Sequence, residues 1–409
     1  MLNSRYLKLA LVLGLVSSIG PFAIDMYLPA LPAIGDSLGA SVGAVQWSLT
    51  AFFLSLGAGQ LLYGPVSDMW GRKLPMYFGI GIFTVASIGC ALATNIETLV
   101  IMRFFQGLGG AAGMVIPRAV VRDLHTGPEA ARLMSLLMLV FSISPILAPL
   151  AGSGVIAVAG WRGVFWAATL AAVIGLVLAR TKLDETRPTD QRVDSSLGSA
   201  LRGYGLLLRD WHYLGLVMIG SCSMVGFFVY MASSPFVFIE HYGLSPTLYS
   251  LTYSLNAVAF IGATQATGWL GERFGLVQVV KVAASAGAVV MLALLGYYWA
   301  GGDNMVVLMG VYFIFSAFMG LVIPISSVLA LEEHGAIAGT ASALLGTLQM
   351  LVGALGMGLF GLVTNGKPLP MVIGMVTGAL IGVALTWLTL GKVGAHGAVP
   401  AQPQPPHTH

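Results

Sequence analysis

Long apolar stretches, cut at short intervals by Gly, Pro and small clusters of charge, run from the start of the chain to about residue 391. One set covers 8 to 34, 44 to 66, 74 to 94, 97 to 121, 133 to 157 and 161 to 181. A second covers 211 to 239, 247 to 270, 278 to 300, 305 to 331, 336 to 363 and 369 to 391. Each is close to the ~20 residues a helix needs to cross the hydrocarbon core of a bilayer. A segment in lipid must satisfy its own backbone polar groups, so the runs predict helices rather than isolated strands. The pattern predicts an all-α membrane protein of twelve transmembrane helices in two six-helix bundles. Between the sets lies a polar stretch, 182 to 210, holding Asp184, Glu185, Arg187, Asp190, Arg192, Asp194, Arg202 and Arg209, which reads as a linker or surface helix. The domain reading is a bundle over 1 to 181, a cytoplasmic linker over 182 to 210, a second bundle over 211 to 392 and a disordered Pro- and Gln-rich tail over 393 to 409.

Composition narrows the class. Of 409 residues, 57% are hydrophobic and 9% charged, where soluble chains carry ~25% charge. The mean hydropathy is +0.88. A formal charge of +3, from 19 basic and 16 acidic residues, offers nothing to a nucleic acid. Placement of charge matters more than its sum. With the N-terminus in the cytoplasm, fifteen of the 19 basic residues fall inside, Arg162 and Lys367 fall outside, and Arg103 and Arg118 lie within spans. The positive-inside rule therefore predicts cytoplasmic termini. Arg5 and Lys8 precede the first run as in a signal peptide, but no cleavage pattern follows, so the run reads as a first span. Cys90 and Cys222 lie far apart inside apolar runs, which argues against a disulfide framework.

A repeat joins the two sets. Gly64, Asp68 and Gly71 after the second run are matched by Gly268, Glu272 and Gly275 after the eighth, and Gly39 and Ser41 recur as Gly243 and Ser245 at the same offset. Transporters built from two such halves bind substrate between them near the midplane.

Of the 16 acidic residues, Asp25 alone sits within a span. A carboxylate there costs ~2.5 to 3.5 kcal/mol on the insertion scale, so it should face a cavity or a partner. Burial opposes its ionisation and a nearby cation favours it, the two influences a proton carrier needs. The other reading is a structural ion pair. Arg103 is the partner predicted by depth, because the two residues differ by only about 5 Å of helix rise from the outer ends of their spans. Arg118, one turn from Arg122, either snorkels to the surface or serves the transport path. Pro145, Pro149, Gly152 and Gly154 predict a bent or closely packed fifth span.

Other patterns are set aside. Gly361 to Lys367 spells a phosphate-loop spacing, but Pro368 replaces the Ser or Thr that would hold magnesium. Gly107, Gly109 and Ala112 mimic a dinucleotide fingerprint without its βαβ context. His407 and His409 are too few for a metal site. No cofactor, metal or catalytic constellation is implied, and the chain does not read as an enzyme.

The residues resemble the major facilitator superfamily, and within it the drug:proton antiporters of the bicyclomycin and chloramphenicol resistance (Bcr/CflA) branch. The resemblance spans 1 to 392 and rests on several segments. These are Asp25-Met26-Tyr27-Leu28-Pro29-Ala30-Leu31-Pro32, Gly64-Pro65-Val66-Ser67-Asp68-Met69-Trp70-Gly71-Arg72-Lys73, Arg103-Phe104-Phe105-Gln106-Gly107, Arg118 to Leu124 and Pro145 to Gly152. Met69 stands where the loop signature usually has Arg, and Ser153 where the fifth-span signature often has a second Gly. The resemblance implies that Asp25 is the protonatable carboxylate and Arg103 the basic residue coupled to it. It makes Pro145, Pro149 and Gly152 the antiporter helix, and Asp68, Arg72 and Asp123 a cytoplasmic latch of the outward-open state. It further implies a monomer in the bacterial inner membrane that exports small amphiphilic, drug-like compounds in exchange for protons. An apolar, aromatic and Met-lined pocket is expected, with Tyr27, Phe53, Tyr230, Asn256 and Gln349 as candidate lining. The rival within transport is a facilitator or importer of a sugar or amino acid. The rival outside it is a membrane sensor or scaffold, which the lack of a soluble signalling domain disfavours.

Overall fold

The structure, a computed structural model, describes residues 4–188, 197–332, 334 and 337–391. Asp190, Arg192 and Asp194 of the linker and the tail from 393 to 409 lie outside the described residues. Among the described residues the chain is helical throughout: α1 (Ser4–Asp25), α2 (Leu31–Leu38), α3 (Val42–Trp70), α4 (Lys73–Ala91), α5 (Ile96–Leu124), α6 (Gly127–Lys182), α7 (Leu197–Leu207), α8 (Trp211–Pro235), α9 (Pro246–Gln265), α10 (Thr267–Phe274), α11 (Leu276–Trp299), α12 (Met305–Glu332), α13 (Ala338–Gly361) and α14 (Pro368–Leu390).

Ten helices, not the expected twelve, are long and apolar enough among the described residues to cross a membrane. Two local features account for the difference. The fifth and sixth runs form the single helix α6, in which Gly160 alone is non-helical, at φ 65° and ψ −175°. A side chain is strained at such a φ, and glycine is not. The eighth run divides between α9 and the eight-residue α10, and neither is among the ten.

The first run is also interrupted. Its helix stops at Asp25, a 3₁₀ turn follows over Leu28–Ala30, and α2 begins at Leu31. Pro29 has no N–H for the Asp25 carbonyl and Pro32 none for that of Leu28, so the ladder fails at the carboxylate. The repeat has a physical basis in helix ends. Ser41 and Ser245 accept from the backbone N–H of Ala44 and Leu248 and cap α3 and α9. Gly39 and Gly243 take φ of 60° and 72° just before them, and Gly71 and Gly275 take 88° and 80° where α3 and α10 end.

Helices of the first set pack together through α1 with α6, α3 with α5 and α4 with α5, and those of the second through α8 with α14, α9 with α12 and α11 with α12. Across the two sets, α3 packs on α13 and α6 on α9. Large apolar side chains on the outer faces, such as Phe78, Val85 and Leu388, are exposed, as a lipid-facing surface requires. Trp70, Trp211 and Trp299 stand exposed at helix ends, the level preferred by aromatic residues at a membrane interface.

Candidate functional site

Asp25 is buried at the broken end of α1, where its Oδ2 accepts a hydrogen bond from Ser144 Oγ of α6 at 2.9 Å. Arg103 is fully buried on α5. Its Nη1 donates to Gln106 Oε1 at 2.6 Å, and Gln106 Nε2 donates onward to Ser87 Oγ at 2.8 Å. The guanidinium lies 4.4 Å from the centre of the Tyr27 ring and 4.2 Å from that of Phe52. The ion pair expected between Asp25 and Arg103 is absent among the described residues. Depth along two helices fixes height but not facing, and two aromatic faces hold the arginine by cation–π attraction instead. Its Nε and Nη2 have no hydrogen-bond partner.

Of Pro145, Pro149 and Gly152, it is Gly152 that brings α6 against α1. A Cβ on Gly152 would meet the carbonyl oxygen of Met26 and stand 2.8 Å from its Cα, so only glycine permits this approach. Gly154 has open space around it. Ser250 Oγ and Ser254 Oγ of α9 lie 2.9 and 2.8 Å from the carbonyl oxygens of Pro149 and Ile146, tying α9 to the same segment. Gln46 near the start of α3 donates to Ala232 O and Ser233 Oγ at 3.2 Å, and Phe53 meets Phe228 edge to face at 4.4 Å. These contacts join the two sets of helices at the end away from Asp68 and Asp123.

A cavity of about 350 Å³ lies between α6, α8, α9 and α12. Met138, Phe141, Ser142 and Pro145 of α6 line one side, and Tyr253, Asn256, Phe260 and Thr264 of α9 line another. Met224, Phe227 and Tyr230 of α8 and Tyr312, Ser316 and Met319 of α12 complete it. No Asp, Glu, Lys or Arg contributes to this lining. Asn256 Nδ2 donates to Tyr230 Oη at 2.8 Å, whereas the buried hydroxyl of Tyr253 has no partner. Of the five residues expected to line a pocket, the cavity takes Tyr230 and Asn256. Tyr27 instead shares a hydrogen bond with Ser48 at 2.7 Å beside Arg103, Phe53 packs on Phe228, and Gln349 donates to Ser327 at 3.3 Å between α13 and α12. The residues missed are mostly aromatic: Phe141, Phe227, Tyr253, Phe260 and Tyr312. Their signal was spacing, since Tyr253, Asn256, Phe260 and Thr264 recur at helical intervals along one face of α9.

Asp68, Arg72 and Asp123 meet at the ends of α3 and α5. Arg72 grips Asp123 with Nε and Nη2 at 2.7 and 3.1 Å, and its Nη1 reaches Asp68 at 2.6 Å. Burial works against this charge, but Asp123 and Asp68 outweigh it and hold the guanidinium pKa above its usual value. The sequence did not single out Glu185, Thr186 and Arg187 as members of the cluster. Glu185 accepts from the backbone N–H of Arg72 and Lys73 at 2.8 and 3.1 Å, Thr186 donates to Asp123 at 3.0 Å, and Arg187 stands 3.4 Å from Asp68.

Comparison with known proteins places this arrangement. Residues 13–357 match the Major Facilitator Superfamily model. The uncharacterized MFS-type transporter YdgK of Bacillus subtilis (strain 168) is 36% identical over 391 residues, 95% of this chain and 97% of that protein. The chloramphenicol resistance protein of Pseudomonas aeruginosa is 30% identical over 391 residues, covering 92% and 89% of the two chains. Among solved structures, a D-xylose-proton symporter superposes with a TM-score of 0.73 at 18% identity over 93% of this chain and 97% of that one, which is a likeness of fold.

Proposed function

Since this chain belongs to the Major Facilitator Superfamily, we propose that it exports small amphiphilic compounds across the bacterial inner membrane in exchange for protons, by alternating access. The observation that carries this reading is the placement of Asp25. It is a buried carboxylate at a helix break, and its partner Ser144 sits in α6 between Ser142 and Pro145, two residues of the apolar cavity wall. Relatives named for chloramphenicol and bicyclomycin resistance support export of antibiotics and a place in the Bcr/CflA branch.

In this reading α6 makes two crossings that meet at Gly160, and α9 with α10 makes another, which brings ten apolar helices to twelve in two six-helix bundles. Both termini and the linker are cytoplasmic. The hydrogen bonds of Gln46, Ser250 and Ser254 then close the outer side, and the Asp68–Arg72–Asp123 cluster belongs to the cytoplasmic side. Arg103 tunes Asp25 through Tyr27 and the end of α1 rather than by direct pairing. One proton falling through about 100 mV supplies roughly 2.3 kcal/mol, and one pH unit adds about 1.4. Together they sustain a gradient of a neutral substrate on the order of some hundreds-fold.

Proteoliposomes holding the purified chain, given an imposed pH gradient and a panel of neutral, acidic and basic aromatic compounds that includes chloramphenicol, provide the test. Accumulation of at least one compound against its gradient, collapsed by a protonophore, is expected. Equilibration without accumulation for every compound would leave a facilitator.

A further inference from the structure

Arg118 has no role in the exchange as described, yet it packs on a residue of the cavity wall. It is half-buried on α5, with its guanidinium carbon 5.2 Å from the centre of the Phe141 ring, and Phe141 lines the cavity. Its Nε is buried and has no hydrogen-bond partner. Among the described residues no Asp or Glu pairs with it. Arg122, one turn on, acts on it with like charge, and Asp123 is engaged by Arg72 and Thr186. Arginine is charged at every working pH, so a permanent cation stands behind the Phe141 wall of an otherwise uncharged cavity, with one buried donor unpartnered.

We infer that the cavity takes amphiphilic anions, an aromatic or other apolar body bearing a carboxylate-class group, and that Arg118 receives the negative charge. This rests on the reading of the cavity as the substrate site. A carboxylate binds arginine most strongly through two parallel bonds, and the unpartnered Nε, uncovered when the Phe141 ring turns aside, supplies one of the donors such a fork requires. Until then, stacking on Phe141 holds the guanidinium in place. The lining agrees in sign. It has no carboxylate to hold a cationic amine, while the unpartnered Tyr253 hydroxyl and the Asn256 amide offer donors to a second acceptor on the same molecule.

The experiment is calorimetric binding of three probes of one shape, 2-naphthoate, methyl 2-naphthoate and 2-naphthylmethylammonium, to the full chain in lipid nanodiscs. The carboxylate should bind about tenfold or more tighter than the ester, the worth of one charged hydrogen bond. Arg118→Gln should bring that ratio to within about twofold, and Arg118→Lys, which keeps the charge but not the fork, should leave an intermediate ratio. If Arg118→Gln does not fold, the wild-type ratio and the Arg118→Lys ratio decide the matter. Equal affinities, a preference for the ammonium, no binding of the carboxylate, or an unchanged ratio in the variants would each overturn the inference. Proton-driven accumulation is measured separately in proteoliposomes. Uphill movement without an anion preference defeats only this inference, and an anion preference without uphill movement defeats only the exchange.

Discussion

Gly152 and Gly154 lie two residues apart on α6, yet one Cβ should be harmful there and the other harmless. At Gly152 an added Cβ stands 2.8 Å from Met26 Cα and closer still to the Met26 carbonyl oxygen. Carbon atoms in contact sit ~3.5 to 4.0 Å apart, so α6 or α1 must move by roughly 0.7 Å or more, and no flexible side chain can yield in its place. Overpacking of this kind costs ~1 to 3 kcal/mol. Alanine's better helix propensity returns at most ~1 kcal/mol, and it does so at Gly154 as well, where nothing lies within 4 Å. The difference between Gly152→Ala and Gly154→Ala therefore isolates the contact. Thermal unfolding of both variants in nanodiscs at one scan rate measures it, the fixed rate being needed because large proteins often unfold irreversibly. Gly154→Ala should melt at or slightly above the wild type, and Gly152→Ala about 1 to 3 °C below Gly154→Ala. Uphill transport should fall in Gly152→Ala alone, since the displaced backbone adjoins Asp25. Coincident melting of the two variants would refute the close approach of α6 to α1.

Asp68→Lys should slow turnover with little change in apparent affinity, because it sets a cation against Arg72 and Arg187 and shifts the balance of conformations; unchanged turnover at equal expression would reduce the loop to a connector. Asp210 caps α8 by accepting from the N–H of His212 and Tyr213 at 2.9 and 3.1 Å. The Tyr213 N–H, against the opposing effect of burial, and then the His212 N–H and His334 hold its carboxyl below the usual range. A depressed folded pKa stabilises above the ordinary carboxylate value, ~3.9, and is lost as pH falls through the folded value. Asp210→Ala should accordingly cost about 1 kcal/mol at neutral pH and converge with the wild type in strong acid; a pH-independent difference in melting would contradict the cap. Reporter fusions near Gln191 and at Lys392 should both report cytoplasm, and a periplasmic signal from either would invert the proposed topology.

Helices, their approximate ends and the internal repeat were legible because lipid demands long apolar runs and the repeat marks helix caps with Gly and Ser. Gly160 was not, since a glycine inside an apolar run reads equally as packing or as a turn. The charged cluster could be named but not completed, because the linker residues Glu185 to Arg187 fold back by tertiary contact. Asp25 stands out by scarcity, and the resemblance points to the same residue. Its partner was mistaken because helical rise gives depth and says nothing of direction, and the true contact, Ser144, carries no distinguishing signal in a span rich in small residues. The cavity was half legible: aromatic and polar residues at helical spacing on α9 predict a face, but which faces of α6, α8 and α12 meet it is decided by packing across the two sets.

The account turns on Asp25. Asp25→Asn keeps the shape of the side chain and can still accept from Ser144, but it cannot carry a proton. In proteoliposomes at matched protein content with an imposed pH gradient, the variant should bind substrate and exchange it downhill while accumulating none. Uphill transport by Asp25→Asn at the wild-type rate would remove the carboxylate from the mechanism.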